Sequence, residues 1–163
     1  MGEGEGQRGR VWLEKLLLLL GMPSTVEVDL SKLEAEGSCW LIIDANPLSP
    51  GQVQHLLGER GTVLDAIQYL ANTTLNLDCP EEEQRAYTIE LNGYRAQRKV
   101  ELQAIADQAV QQVRESGEEF EIESLSAAER RQVHTFLKSF EDIETQSRGR
   151  EPDRRLVVRL RQT

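Results

Sequence analysis

Gly58-Glu59-Arg60-Gly61 lies between two stretches of helical spacing, and the fold of the first half of the chain is read outward from it. Val53, Leu56 and Leu57 precede it as a short apolar cluster, and Leu64, Ile67, Leu70 and Ala71 follow on one helical face. A Gly-x-x-Gly turn between two helices carries no side chain at either end, so its backbone comes within contact distance of a phosphodiester chain. Arg60, at the middle of the turn, supplies a cation for phosphate. The helix that opens near Thr62 adds the partial positive charge of its N-terminus. Glu59 has the opposite sign. The plainer reading of the same residues is a helix–helix turn in which glycine serves only as a cap.

Upstream, Val26, Val28 and Leu30 alternate as a strand, and Cys39 to Asp44 reads as another. The polar stretch Ser31 to Gly37 reads as the turn of an antiparallel pair. Val11 to Leu20 reads as a first helix ended by Gly21 and Pro23, and the Gly- and Glu-rich residues 1–9 as a disordered lead. Downstream, the helix continues to about Asn76, and Tyr87, Ile89 and Leu91 form a third strand ended by Asn92-Gly93. The order helix, strand, strand, helix, helix, strand predicts an α+β domain of two layers over residues 10–95. Leu102, Ile105, Ala106, Ala109 and Val113 predict a long helix, read as a connector over 96–118 that packs on both units. In the unit predicted over 119–163, Ser126 and Glu129 have capping-box spacing, and Val133, Phe136, Leu137 and Phe140 form a buried stripe. Leu156, Val158 and Leu160 then alternate with arginines.

Of the 163 residues 39% are hydrophobic, enough for a core, and no apolar run approaches a membrane span. The lead has no secretory pattern, and Cys39 and Cys79 lack metal-ligand companions. Together these features predict reduced thiols in a cytoplasmic protein without a cofactor. The net charge of −9 opposes nucleic-acid binding by the chain as a whole, but it is unevenly spread. Residues 1–92 carry 6 basic and 15 acidic side chains, whereas 148–163 carry 6 arginines against Glu151 and Asp153. The expectation is a local basic surface on an acidic body.

That surface is expected where Arg130 and His134, neighbours on one helical face, meet the segment Ser147-Arg148-Gly149-Arg150-Glu151-Pro152-Asp153-Arg154-Arg155. Read as a flexible loop folded over the helix, this segment makes one basic pocket with Arg130 and His134. The plainer reading of His134 is a surface residue of the helix. Arg95, Arg98 and Lys99 form a third basic group, which either extends a binding path or solvates a helix start. An apolar groove between the helix after the glycine turn and the sheet edge is expected to accept unstacked bases. A nuclease is disfavoured, since there is no histidine pair, paired-carboxylate motif or Walker-type loop.

With these residues in view, the chain resembles the bacterial Jag (SpoIIIJ-associated) family, which joins a type II KH domain to an Arg-x-x-x-His domain. Leu57 through Leu70 matches the Gly-x-x-Gly loop and following helix, Glu129 through His134 the second motif, and Thr145 through Arg155 its distal loop. The resemblance covers residues 10–161. It implies non-enzymatic binding of single-stranded RNA, with single-stranded DNA left open, in the bacterial cytoplasm. It also implies post-transcriptional regulation linked to elongation or division, and a small single-domain KH protein as partner. The implied RNA contacts are Gly58, Glu59, Arg60, Gly61 and Thr62 in the first domain. In the second they are Arg130, His134, Ser147, Arg148, Gly149 and Arg154. A protein-interaction scaffold with weak RNA contact is the rival reading, favoured by Glu59 and the net charge.

Overall fold

The structure, a computed structural model, describes residues 2–162; Met1 and Thr163 lie outside the described residues. The chain is α+β and divides into two units, one ending at Arg95 and one beginning at Ala96.

The first unit runs α1 (Gly2–Leu19), β1 (Val26–Asp29), α2 (Ser31–Glu36), β2 (Ser38–Ile43), α3 (Pro50–Leu57), α4 (Thr62–Asn76) and β3 (Ala86–Leu91). β2 is central: β1 pairs with it antiparallel, Val28 opposite Leu41, and β3 pairs with it parallel, Leu41 opposite Ile89. This is the order and sheet expected of a type II KH domain. Leu13 and Leu17 of α1, Leu41 and Ile43 of β2, Leu64 and Ala71 of α4, and Ile89 and Leu91 of β3 form one buried core. Ser49 and Gln52 close a capping box on α3, with Pro50 in its first turn.

Two expectations are corrected here. The stretch Ser31 to Gly37 is a short helix, α2, and not a simple turn; Asp29 accepts hydrogen bonds from Ser31 N and Oγ at its start. Residues 2–9, read as disordered, belong to α1. Composition misled because these glycines are packing surface. A Cβ on Gly6 would stand 2.7 Å from Val28 Cγ1, and one on Gly9 2.8 Å from the Tyr87 ring. The helix therefore lies directly on the sheet where a larger residue has no room. Tyr87 Oη donates to Glu5 O at 3.2 Å, Arg85 pairs with Glu5 at 3.3 Å, and Arg8 donates to Leu75 O at 2.9 Å.

The second unit contains most of α5 (Tyr94–Ser116), then β4 (Phe120–Ile122), α6 (Ala127–Leu137), β5 (Ile143–Arg148) and β6 (Arg155–Leu160), with sheet order β4-β6-β5, all antiparallel. Leu102, Ala106, Ala109 and Val113 are fully buried with Val133, Leu137, Leu156 and Val158, so the body of α5 is part of this unit's core. Ser126 and Glu129 close the capping box on α6. The segment read as a flexible loop from Ser147 is partly strand: Ser147 and Arg148 end β5, opposite Leu156 and Arg155 of β6. Both cysteines are free thiols. Among the described residues no helix is long and apolar enough to cross a membrane, and no cluster of three or more metal-binding side chains occurs.

Candidate nucleic-acid interface

The helix and strand periods of the second unit bring separate segments to one hollow. Ala127, Arg130, Arg131 and His134 share one face of α6. Thr145 and Ser147 project from the side of β5 that faces them, and Arg154 and Leu156 complete the wall. These residues line an open cavity of about 320 Å³ with no carboxylate in its lining. Of the expected residues, Arg130, His134, Ser147 and Arg154 meet here. Arg131 and Thr145 belong to the same lining but were not singled out in the sequence. Their signals were the four-residue step from Ala127 to Arg131 and the two-residue step from Thr145 to Ser147.

Arg130 does not have the exposed role expected of it. Its side chain is 5% exposed. Nη1 donates to Leu125 O at 2.6 Å and Arg154 O at 3.3 Å, and Nη2 is paired with Glu151. The guanidinium thus ties the entry of α6 to the loop between β5 and β6, and so fixes where Arg154 projects. His134 Nδ1 shares a hydrogen bond with Thr145 Oγ1. That contact orients the ring and leaves Nε2 as the atom for a ligand. Among the described residues, Arg131 and Arg154 have no carboxylate partner.

Arg148 and Gly149 do not line the cavity, because strand alternation sends Arg148 to the opposite face of the sheet. There it pairs with Glu119 at 2.8 Å and Glu121 at 3.2 Å. Arg155 pairs with Glu121 and Glu123, and Arg159 with Glu144. The arginine-rich strand is therefore neutralised on its outer face. The Arg148 hydrogen bond holds the Glu119 carboxyl below its ordinary range, and Arg114 does the same to Asp142 across 2.8 Å. A carboxyl depressed in the folded state contributes stability above its unfolded pKa and loses it as pH falls through the folded value. The unfolding midpoint is therefore expected to fall between about pH 5 and 2. High salt should flatten that dependence, since these pairs are solvent-exposed. Thermal scans across that range, with and without added salt, measure it.

In the first unit Gly58 closes α3 with φ +69° and its N–H on Gln54 O at 2.8 Å. Arg60 and Gly61 also take positive φ, 54° and 75°, before α4 begins. Glu59, Arg60 and Thr62 are exposed, and Gly61 is buried against Tyr94. The groove expected to accept bases is not apolar: Gln68, Asn72 and Asn76 of α4 hydrogen-bond the outer edge of β3. The third basic group is committed internally. Arg95 pairs with Asp65 at 2.8 Å and donates to Ile89 O, and Arg98 pairs with Glu129 and Glu101.

Residues 100–160 match the family model of the R-three-H domain, named for its Arg-x-x-x-His motif. The protein described as RNA-binding protein KhpB in Clostridium symbiosum is 25% identical over 150 residues, 92% of this chain and 64% of that protein. The protein of that description in Streptococcus pneumoniae is 32% identical over 135 residues, 82% of this chain and 38% of the relative. Its counterpart in Bacillus subtilis is 30% identical over 105 residues, 63% of this chain and 50% of the relative. The chain thus spans 38% to 64% of the length of these relatives. With an Arg-x-x-x-His domain forming its second unit and its likeness extending through both units, the chain belongs to the Jag family.

Proposed function

We propose that this protein binds single-stranded RNA without chemical turnover, and that the cavity of the Arg-x-x-x-His unit is its principal contact. The observation that carries the reading is the convergence of Arg131, Arg154, His134 and the Thr145 and Ser147 hydroxyls on a hollow lined by no carboxylate. The two cations take phosphate, the imidazole adds a directed donor, and the hydroxyls serve sugar or base. The turn Gly58–Gly61 with Thr62 supplies a second contact to the sugar-phosphate chain. The names of the relatives, RNA-binding proteins, favour RNA over DNA. The family resemblance favours a bacterial cytoplasmic setting, post-transcriptional regulation tied to elongation or division, and a small KH protein as partner.

Titration of labelled single-stranded RNA at about 50 to 200 mM salt tests the reading. Arg131→Ala and Arg154→Ala are each expected to weaken binding several-fold and to reduce the salt slope by about one. Salt-independent affinity, or a double variant that binds as the parent does, overturns it. The outer-face ion pairs favour a second reading, a scaffold with little RNA contact, and that outcome would support it. Binding of matched RNA and DNA oligomers at equal strength would widen the ligand to single strands in general.

A further inference from the structure

β3 is an edge strand: β2 pairs with one side of it, and the other side faces no strand. Such an edge presents a row of N–H and C=O groups. Unstacked bases carry matching donors and acceptors on their edges, so a bare strand edge beside a phosphate-binding turn offers base readout. In this protein the row is already filled.

Asn76 Nδ2 donates to Arg85 O at 2.8 Å, and Asn76 Oδ1 accepts from Arg85 N at 2.9 Å. Asn72 repeats both bonds with Tyr87, again at 2.8 and 2.9 Å. Gln68 Oε1 accepts from Ile89 N at 2.9 Å, and Arg95 Nε donates to Ile89 O at 2.8 Å. Four helix residues rise about 6 Å and two strand residues about 6.6 Å, so three successive amides keep step with three successive outward peptide groups. Each asparagine is also held from behind, Asn72 Nδ2 on Gln68 O at 2.9 Å and Asn76 Nδ2 on Asn72 O at 2.8 Å. A base seeking the β3 backbone must first break paired, part-buried bonds.

We infer that Gln68, Asn72 and Asn76 determine specificity by exclusion: the first unit holds the sugar-phosphate chain at Gly58–Gly61 and reads no base along β3. The inference rests on the proposed RNA contact of that turn and states what kind of contact it is. Its ligand is the backbone of a single-stranded polynucleotide of any sequence.

The test uses the full chain, labelled with nitrogen-15, titrated with oligouridylate, oligoadenylate and oligocytidylate. The amide signals of Gly58, Arg60, Gly61 and Thr62 are expected to move with all three. Affinities read from those signals should agree within about threefold, against about tenfold or more where paired hydrogen bonds read a base. The amides of Arg85, Tyr87 and Ile89 should keep both their shifts and their protection from hydrogen exchange. Loss of protection at Tyr87 and Ile89 with one oligomer, together with a strong preference for it, overturns the inference. If no oligomer moves the turn signals, RNA contact by the first unit fails and the inference falls with it. The signals of His134 and Arg154 then judge the cavity of the second unit separately.

Discussion

Replacing Arg130 with alanine should both unfold the second unit more easily and abolish its RNA binding. The guanidinium is buried, and its loss leaves Leu125 O, Arg154 O and Glu151 without their donor. Stranding buried acceptors and removing a buried charge cost about 3 kcal/mol or more. For a unit of this size that lowers the unfolding midpoint by about 10 °C or more. Lysine should rescue little, because a compact ammonium on a flexible stem does not reproduce a planar fork reaching three acceptors. Arg131→Ala is the control: exposed and without a carboxylate partner among the described residues, it should shift stability by less than about 0.5 kcal/mol while weakening RNA binding. Thermal unfolding and RNA titration of the three variants decide the matter. An Arg130→Ala protein that melts like the parent yet fails to bind would make Arg130 a phosphate ligand and not the fastener described above.

Gly61→Ala is the second large effect. The residue has φ +75°, and an added Cβ would lie 2.4 Å from Tyr94 Cε1 and 2.6 Å from its hydroxyl. Tyr94 packs against the core of the first unit, so it does not simply swing aside. Left-handed strain of about 1 kcal/mol and the overpacking of a filled site sum to about 2–4 kcal/mol. Gly37→Ala separates the two causes. Gly37 has φ +68° but nothing within 4 Å of its added Cβ, so it should cost only about 1 kcal/mol. Equal destabilisation of the two variants, measured by chemical denaturation, would remove the steric part of the argument. The Gly61 change should also displace the turn amides and weaken any RNA contact they make.

Elements whose apolar residues keep a period were legible in the sequence. α4, with Leu64, Ile67, Ala71 and Leu75 inward, and β2, with Leu41 and Ile43 buried, fall where that pattern places them. So does the capping box of Ser126 and Glu129. β5 was missed because Ile143 is its only apolar residue and its pairing with β6 gives no local signal. The N-terminal turns of α1 were missed because helix propensity counts against glycine, while the sheet contact that favours Gly6 and Gly9 is tertiary. At the candidate site, helical spacing correctly joined Arg130 to His134. It said nothing of burial, so an arginine that fastens the loop was read as an exposed phosphate ligand. Arg148 was misplaced for a related reason: the side it takes follows from a register visible only once β5 and β6 are paired.

The sheet of the second unit gives a diffusing polyanion two different receptions. On its outer side Arg148, Arg155 and Arg159 are matched by glutamates and exert little net pull. On the other side Arg131 and Arg154 keep their full attraction. A strand arriving from solution is turned toward the productive side before it touches the protein, and encounters on the wrong side are short-lived. Acidic residues that look hostile to RNA in the sequence thus act as its compass.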